Sequence, residues 1–265
     1  MYFNERFGVS AIAMQKLGVF NAEIDVDNKM FVDPKLLEAG KEEFHGAHGG
    51  LITYFAAVVQ LVKLIKTRTD NDMAWTAAWK RMRFKETSNT ALGFSKKGTN
   101  GKGIGKVLAK RIVTRASEIL PYVDFAPDVF ELIGIFAERL GCDRLSDMVV
   151  SILKVRFLAY TDRITKELGI KHTIEVPYDG GQYSCPRFKK NDKPMILVPR
   201  ALLKPLPIAA NIEDALDVAD LNQQARQEVN RIYSQAHKAR VVAETLSSQH
   251  GSRQPFDHQG HYFWL

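Results

Sequence analysis

The chain has 265 residues, 45% of them hydrophobic and 25% charged, which suffices for one large domain or two small ones and excludes a disordered polymer. Its two cysteines, Cys142 and Cys185, stand far apart without CxxC spacing, which argues against a zinc module and for a reducing cytoplasm. The longest apolar run, "FAAVVQLVKLI", is interrupted by Gln60 and Lys63 and is too short to span a bilayer, and "MYFNERFGVS" lacks the pattern of a signal peptide, so a cytoplasmic globular protein is expected.

In chain order, Ser10 is placed to cap a short helix ending near Gln15, and "FNAEIDVDNKMFVDP" alternates like a short strand or hairpin. Asp33-Pro34 is a helix start, with Gly40 as its stop. Apolar residues at helical spacing over 51–66 predict a core helix, and 70–82, with Trp75 and Trp79 one turn apart, predicts another. A loop with five glycines between Gly93 and Gly105 leads into a helix over 105–120, which Pro121 ends. "PDVFELIGIFAERLG" is a compact helix, and Asp143 opens a long one reaching about Leu168. "HTIEVPYDGGQYSCPRF" reads as a hairpin around Asp179-Gly180-Gly181, "PMILVP" as a third short strand, and 211–246 as a long amphipathic helix or helix pair.

This pattern predicts an α+β fold, mainly helical with a small antiparallel sheet. A helical unit over 1–170 carries the basic glycine-rich loop, and 171–265 carries the small sheet and the long C-terminal helix. The two could equally form one continuous domain.

The positive charge is concentrated. Lys80 to Arg115 contains eleven basic residues against one acid, Glu86, a local excess of +10 that leaves the rest of the +7 chain at −3. Such clustering is the electrostatic footprint of a polyanion partner. The plainer alternative is a solvated face paired with the acidic segment Glu23–Glu43.

Within this segment "GTNGKGIGKVLAK" interleaves glycines with Lys102 and Lys106 before a helix, an arrangement suited to backbone and ammonium contact with phosphate. It is not a Walker A loop. Five residues back from Gly105 stands Asn100, and Val107 occupies the place of the Mg2+-binding Ser or Thr. The expected nucleic-acid contacts are Arg81, Arg83, Lys96, Lys97, Lys102, Lys106, Lys110 and Arg111.

Asp143 and Asp147, four apart around Arg144, share a helix face and could hold a divalent metal. Helix-start structure explains them more simply, through capping by Asp143 and the pull of the helix dipole on both acids. As a nuclease site they would need further acids, with Glu86, Asp25, Asp27 and Asp33 as candidates and Lys102 or Lys106 on the scissile phosphate. No PD…(D/E)xK run is present, since Pro177 stands where the lysine after Glu175 is wanted. "RIYSQAH" spaces Arg231 and His237 six apart, better suited to a solvated helix face than to an RNase motif, and His45 and His48 lack a third metal ligand nearby.

Several collinear stretches carry a resemblance: "LGVFNAEIDVDNKMFVDPKLL", "LGFSKKGTNGKGIGKVLAKRI", "ELIGIFAERLGCDRLSDMVVSIL", "PMILVPRALLKPLPIA", "NQQARQEVN" and "PFDHQGHYFWL". Over nearly its whole length the chain resembles the N-terminal region of a family of bacterial proteins encoded among mobile-element and phage-defence genes. In that family a PD-(D/E)xK-type nuclease segment follows, and the sequence here does not contain it. The resemblance implies a role in defence against foreign DNA, with the nuclease carried on a longer chain or a partner. It assigns no catalysis to Asp143 or Asp147, and Cys142 departs from the family's proline.

The leading expectation is therefore a nucleic-acid-binding module of an anti-phage nuclease system. The alternatives are a Mg2+-dependent nuclease built on Asp143, Asp147 and Glu86, or a protein-interaction subunit docking through its long helix and aromatic tail. Expected partners are DNA, a nuclease or other defence subunit, and as a further option a second copy of the chain, but no membrane. No cofactor is assigned unless the nuclease alternative supplies Mg2+.

Overall fold

The computed structural model describes residues 1–24, 26–39, 42–84, 90–93, 103–120, 142–188 and 193–206. Two short helices open the chain, α1 (Phe3–Phe7) and α2 (Ala11–Lys16), the second capped by the Ser10 hydroxyl, which accepts from the Ala13 amide. Strand β1 (Met30–Val32) follows. Asp33-Pro34 then starts a 3-10 helix, Pro34–Ala39, where an α-helix start was expected. The cause is Asp33 itself. Its carboxylate accepts from the Lys35 amide and its carbonyl from the Leu36 amide, which tightens the turn.

Helix α3 (Ala47–Lys63) begins four residues before the apolar repeat, at a left-handed Gly46 with φ +68°. It buries Leu51, Phe55, Val58, Val59 and Val62 on one face, the stripe that the 3.6-residue period requires. Helix α4 (Met73–Arg81) starts at the Asp72 cap and buries Trp75 and Trp79, and α5 (Lys106–Ile119) buries Ala109, Ile112, Val113 and Ala116. These three helices pack on one another.

The single helix expected from Asp143 to Leu168 is two helices, α6 (Cys142–Ile152) and α7 (Lys154–Glu167). Leu153 breaks the run at φ −95°, ψ +20°. Apolar residues crowd all sides of the junction, with Met148, Val149, Val150, Leu153, Phe157 and Leu158 buried. One straight helix cannot present all of them to a single layer, and the break turns α6 onto β1 and α7 onto the following hairpin.

That hairpin, β2 (Thr173–Tyr178) with β3 (Gly181–Phe188), turns at Asp179 (φ +47°) and Gly180 (φ +76°). Two consecutive left-handed residues form the two-residue turn that suits the twist of flanking strands. Its register pairs Thr173 with Pro186 and Tyr178 with Gly181. Strand β4 (Lys193–Pro194) adds to β3, and β5 (Leu203–Pro205) pairs antiparallel with β1. "PMILVP" does not form the expected strand beyond Pro194. The Leu197 amide is bonded by the Thr161 hydroxyl and the Val198 carbonyl by the Phe20 amide, so other elements take the groups a ladder would need.

The fold is α+β, mainly helical with small antiparallel sheets. One continuous core joins residues on both sides of position 170, from Phe3, Val32 and Phe44 through Phe157 and Tyr160 to Cys185, Leu197 and Leu202. Among the described residues no helix is long and apolar enough to cross a membrane.

Candidate nucleic-acid interface

Helices α4 and α5 present the described part of the basic segment. From Arg68 to Glu118 the described residues include eight cations (Arg68, Lys80, Arg81, Arg83, Lys106, Lys110, Arg111 and Arg115) and three acids, Asp70, Asp72 and Glu118. The described ends of the glycine-rich segment are fixed to the body. The Phe84 amide bonds the Ile104 carbonyl at 3.1 Å, and Gly93, at φ +137°, bonds the Asn28 carbonyl at 3.0 Å. A side chain at Gly93 would meet the Asp27 carboxylate at 3.2 Å, on a backbone that only glycine adopts without strain.

Lys106 and Lys110, one turn apart on α5, lean toward the α4 side. Their ammonium groups lie 5.2 and 5.4 Å from the centre of the Trp79 ring, with Lys80 at 6.0 Å. Both meet one carboxylate. Asp70 takes Lys110 Nζ at 2.5 Å on Oδ1 and Lys106 Nζ at 3.7 Å on Oδ2. The Lys110 hydrogen bond, with the nearby ammonium charges, holds the Asp70 carboxyl below the usual carboxylate range. Farther along α5, Glu118 pairs with Arg68 at 3.0 Å and Arg115 at 3.4 Å.

The described ion pairs of the acidic segment Glu23–Glu43 lie elsewhere. Glu23 pairs with the N-terminus, Asp33 with Lys204 and Glu43 with Arg163. The described counter-charges of α5 are Asp70, in the connection before α4, and Glu118. Sequence reading missed Asp70 because it looks like a helix start, and its lysine partners lie about forty residues downstream.

Arg81 rests on Tyr54, its guanidinium carbon 5.7 Å from the ring centre, while the Tyr54 hydroxyl donates to the Arg81 carbonyl at 2.5 Å. Burial raises the Tyr54 phenol pKa against the opposing pull of Arg81. Arg83 and Arg111 are exposed, and among the described residues neither has a carboxylate partner. Trp75 and Trp79 are buried, so neither ring is offered to a base. Lys96, Lys97 and Lys102 lie outside the described residues.

The described residues include only part of the second candidate site. Asp143 falls in the first turn of α6, which begins at Cys142, rather than at the cap position, and its side chain lies outside the described residues. Asp147 is half-buried on the same helix and engaged with a neighbour. Between them Ser146 is buried and accepts the Val32 amide at 3.0 Å, which ties α6 to β1. Asp33 is committed to Lys204 and to the Lys35 amide. Glu86 and Asp25, like Arg231 and His237, lie outside the described residues. Among the described residues no group of three or more His, Cys, Asp or Glu side chains is placed to hold a metal ion. His45 instead accepts Arg156 through its carbonyl at 2.8 Å.

No curated protein and no solved structure matches the chain. One family's sequence model does match, over residues 8–211, a block that starts just after α1, runs past β5 and takes in both the basic face and α6. The chain belongs to that family, described as a domain of unknown function (DUF8370).

Proposed function

We propose that this chain is a nucleic-acid-binding module of a bacterial anti-phage nuclease system, holding the phosphates of duplex DNA on the α4–α5 face. The observation that carries the reading is the pair of exposed guanidiniums, Arg83 and Arg111, without carboxylate partners among the described residues. They flank an excess of cations that the adjoining Lys85, Lys96, Lys97 and Lys102 extend in sequence. Arginine suits phosphate because its planar fork donates two parallel hydrogen bonds. Burial of Trp75 and Trp79 favours backbone contact over base stacking, and therefore duplex over single strand. The place in phage defence rests on the family resemblance of the collinear motifs.

The test is titration of labelled duplex DNA with the purified chain at two salt concentrations, with and without Mg2+. Affinity should fall steeply with salt, because each phosphate contact releases a counterion. Arg83→Glu with Arg111→Glu should weaken binding about tenfold or more and reduce the log–log salt slope by about two. Salt-insensitive binding, or none, would overturn the reading. Metal-dependent cleavage would transfer the function to the acids of α6.

A further inference from the structure

Two of the cations closest to the proposed surface are already engaged by the protein itself. Lys106 and Lys110 converge on the Asp70 carboxylate while covering the Trp79 ring. The carboxylate is half-exposed and stands in the connection between α3 and α4. Among the described residues its oxygens accept from no backbone amide, and the Asp70 carbonyl accepts the Thr76 hydroxyl.

We infer that Asp70 is an internal competitor of the nucleic acid: its carboxylate masks Lys106 and Lys110, so the unmodified protein binds through Arg81, Arg83 and Arg111, and the two lysines join only when that ion pair is broken. This inference rests on the phosphate-binding reading above and adds to it how the strength of the same face is set. A phosphate oxygen and a carboxylate oxygen are alternative acceptors for the same ammonium protons. Exposed ion pairs are weak and screened by salt, so the mask sets the strength of the face by a modest factor that is greatest at low salt. Asp70 thus reduces the number of counterions released on binding without altering the fold.

The experiment compares the unmodified chain with Asp70→Asn, a change that keeps the size of the side chain and removes its charge. Duplex DNA affinity is measured across a salt series, and lysine acylation read by mass spectrometry reports which lysines the DNA covers. Asp70→Asn should tighten binding about threefold or more at low salt and steepen the log–log salt slope by about one to two. Lys106 and Lys110 should gain DNA-dependent protection in the variant and show little of it in the unmodified protein. Adding Lys106→Gln and Lys110→Gln to Asp70→Asn should abolish the gain. Equal protection of both lysines in the two proteins, or an unchanged slope, overturns the mask while leaving the proposed function standing. Failure of both proteins to bind DNA at low salt overturns the proposed function, and the mask with it.

Discussion

Helices α5 and α7 carry similar loads of polar side chains and use them in opposite ways. On α7, Thr161 donates to the Phe157 carbonyl at 2.7 Å and accepts the Leu197 amide at 3.0 Å. Asp162 accepts the Ser184 amide at 2.8 Å and pairs with Lys166 at 2.6 Å. Arg163 bridges Glu43 and Glu167, and Arg156 donates to the carbonyls of Glu43 and His45. The i,i+4 contacts stay within α7, but the bonds to Leu197, Ser184, Glu43 and His45 join it to partners whose position depends on the fold, and most of them reach the backbone of another element. On α5 the cations meet exposed carboxylates of one connection and of their own helix, or, for Arg111, no carboxylate among the described residues. Charge alone therefore does not mark function. A charged group bonded to distant backbone is committed to structure, whereas one bonded to an exposed side chain can exchange that partner for a ligand.

The largest effect that sharpens this contrast comes from the core beneath α7. Phe44 is fully buried, its ring 4.9 Å from Phe157 in an edge-on contact and 6.0 Å from Tyr160. Phe44→Ala should cost about 3–5 kcal/mol in urea unfolding, from lost transfer energy and the cavity left behind. The molecules that remain folded should bind DNA as before. Loss of binding at full folding would break the separation of the two regions. Next comes Ser146→Ala, which leaves the buried Val32 amide without its acceptor and should cost about 1–3 kcal/mol. No loss of stability would mean that α6 is not held through this bond, and would reopen a functional role for its polar face.

The hairpin was legible because Asp179-Gly180 encodes left-handed backbone directly, and α3, α4 and α5 because their apolar spacing is unbroken over several turns. The mainly helical α+β architecture followed from these local signals. The break at Leu153 was not legible, since apolar spacing continues through it and only the layers on either side require the turn. Met195–Val198 reads as a strand in isolation, and its actual partner, the Thr161 hydroxyl, lies 36 residues away with no local trace. At the candidate site the excess of cations was plain in the sequence. Which cations were neutralised was not, because the pairing of Asp70 with Lys110 spans 40 residues.

The finest comparison lies two residues apart. Asp70 meets ammonium groups, whereas the Asp72 carboxylate accepts the backbone amides of Lys66 at 2.8 Å, Thr67 at 2.9 Å and Trp75 at 3.0 Å. Those amides, the Thr67 bond foremost, bring the Asp72 carboxyl from the ordinary 3.8 down to about 2. A folded-state pKa below the unfolded one adds stability that is fully present above 3.8 and is lost as the pH falls toward about 2. Asp72→Ala should therefore lower the Tm at neutral pH, and the gap from the unmodified protein should narrow between pH 3.8 and about 2. Asp70→Asn should leave the Tm at neutral pH nearly unchanged, because surface ion pairs contribute little. Thermal melts of the three proteins over this range decide the matter. If Asp70→Asn lowers the Tm as far as Asp72→Ala does, Asp70 belongs with the fold, and the distinction between replaceable and committed charge fails where the two kinds stand closest together.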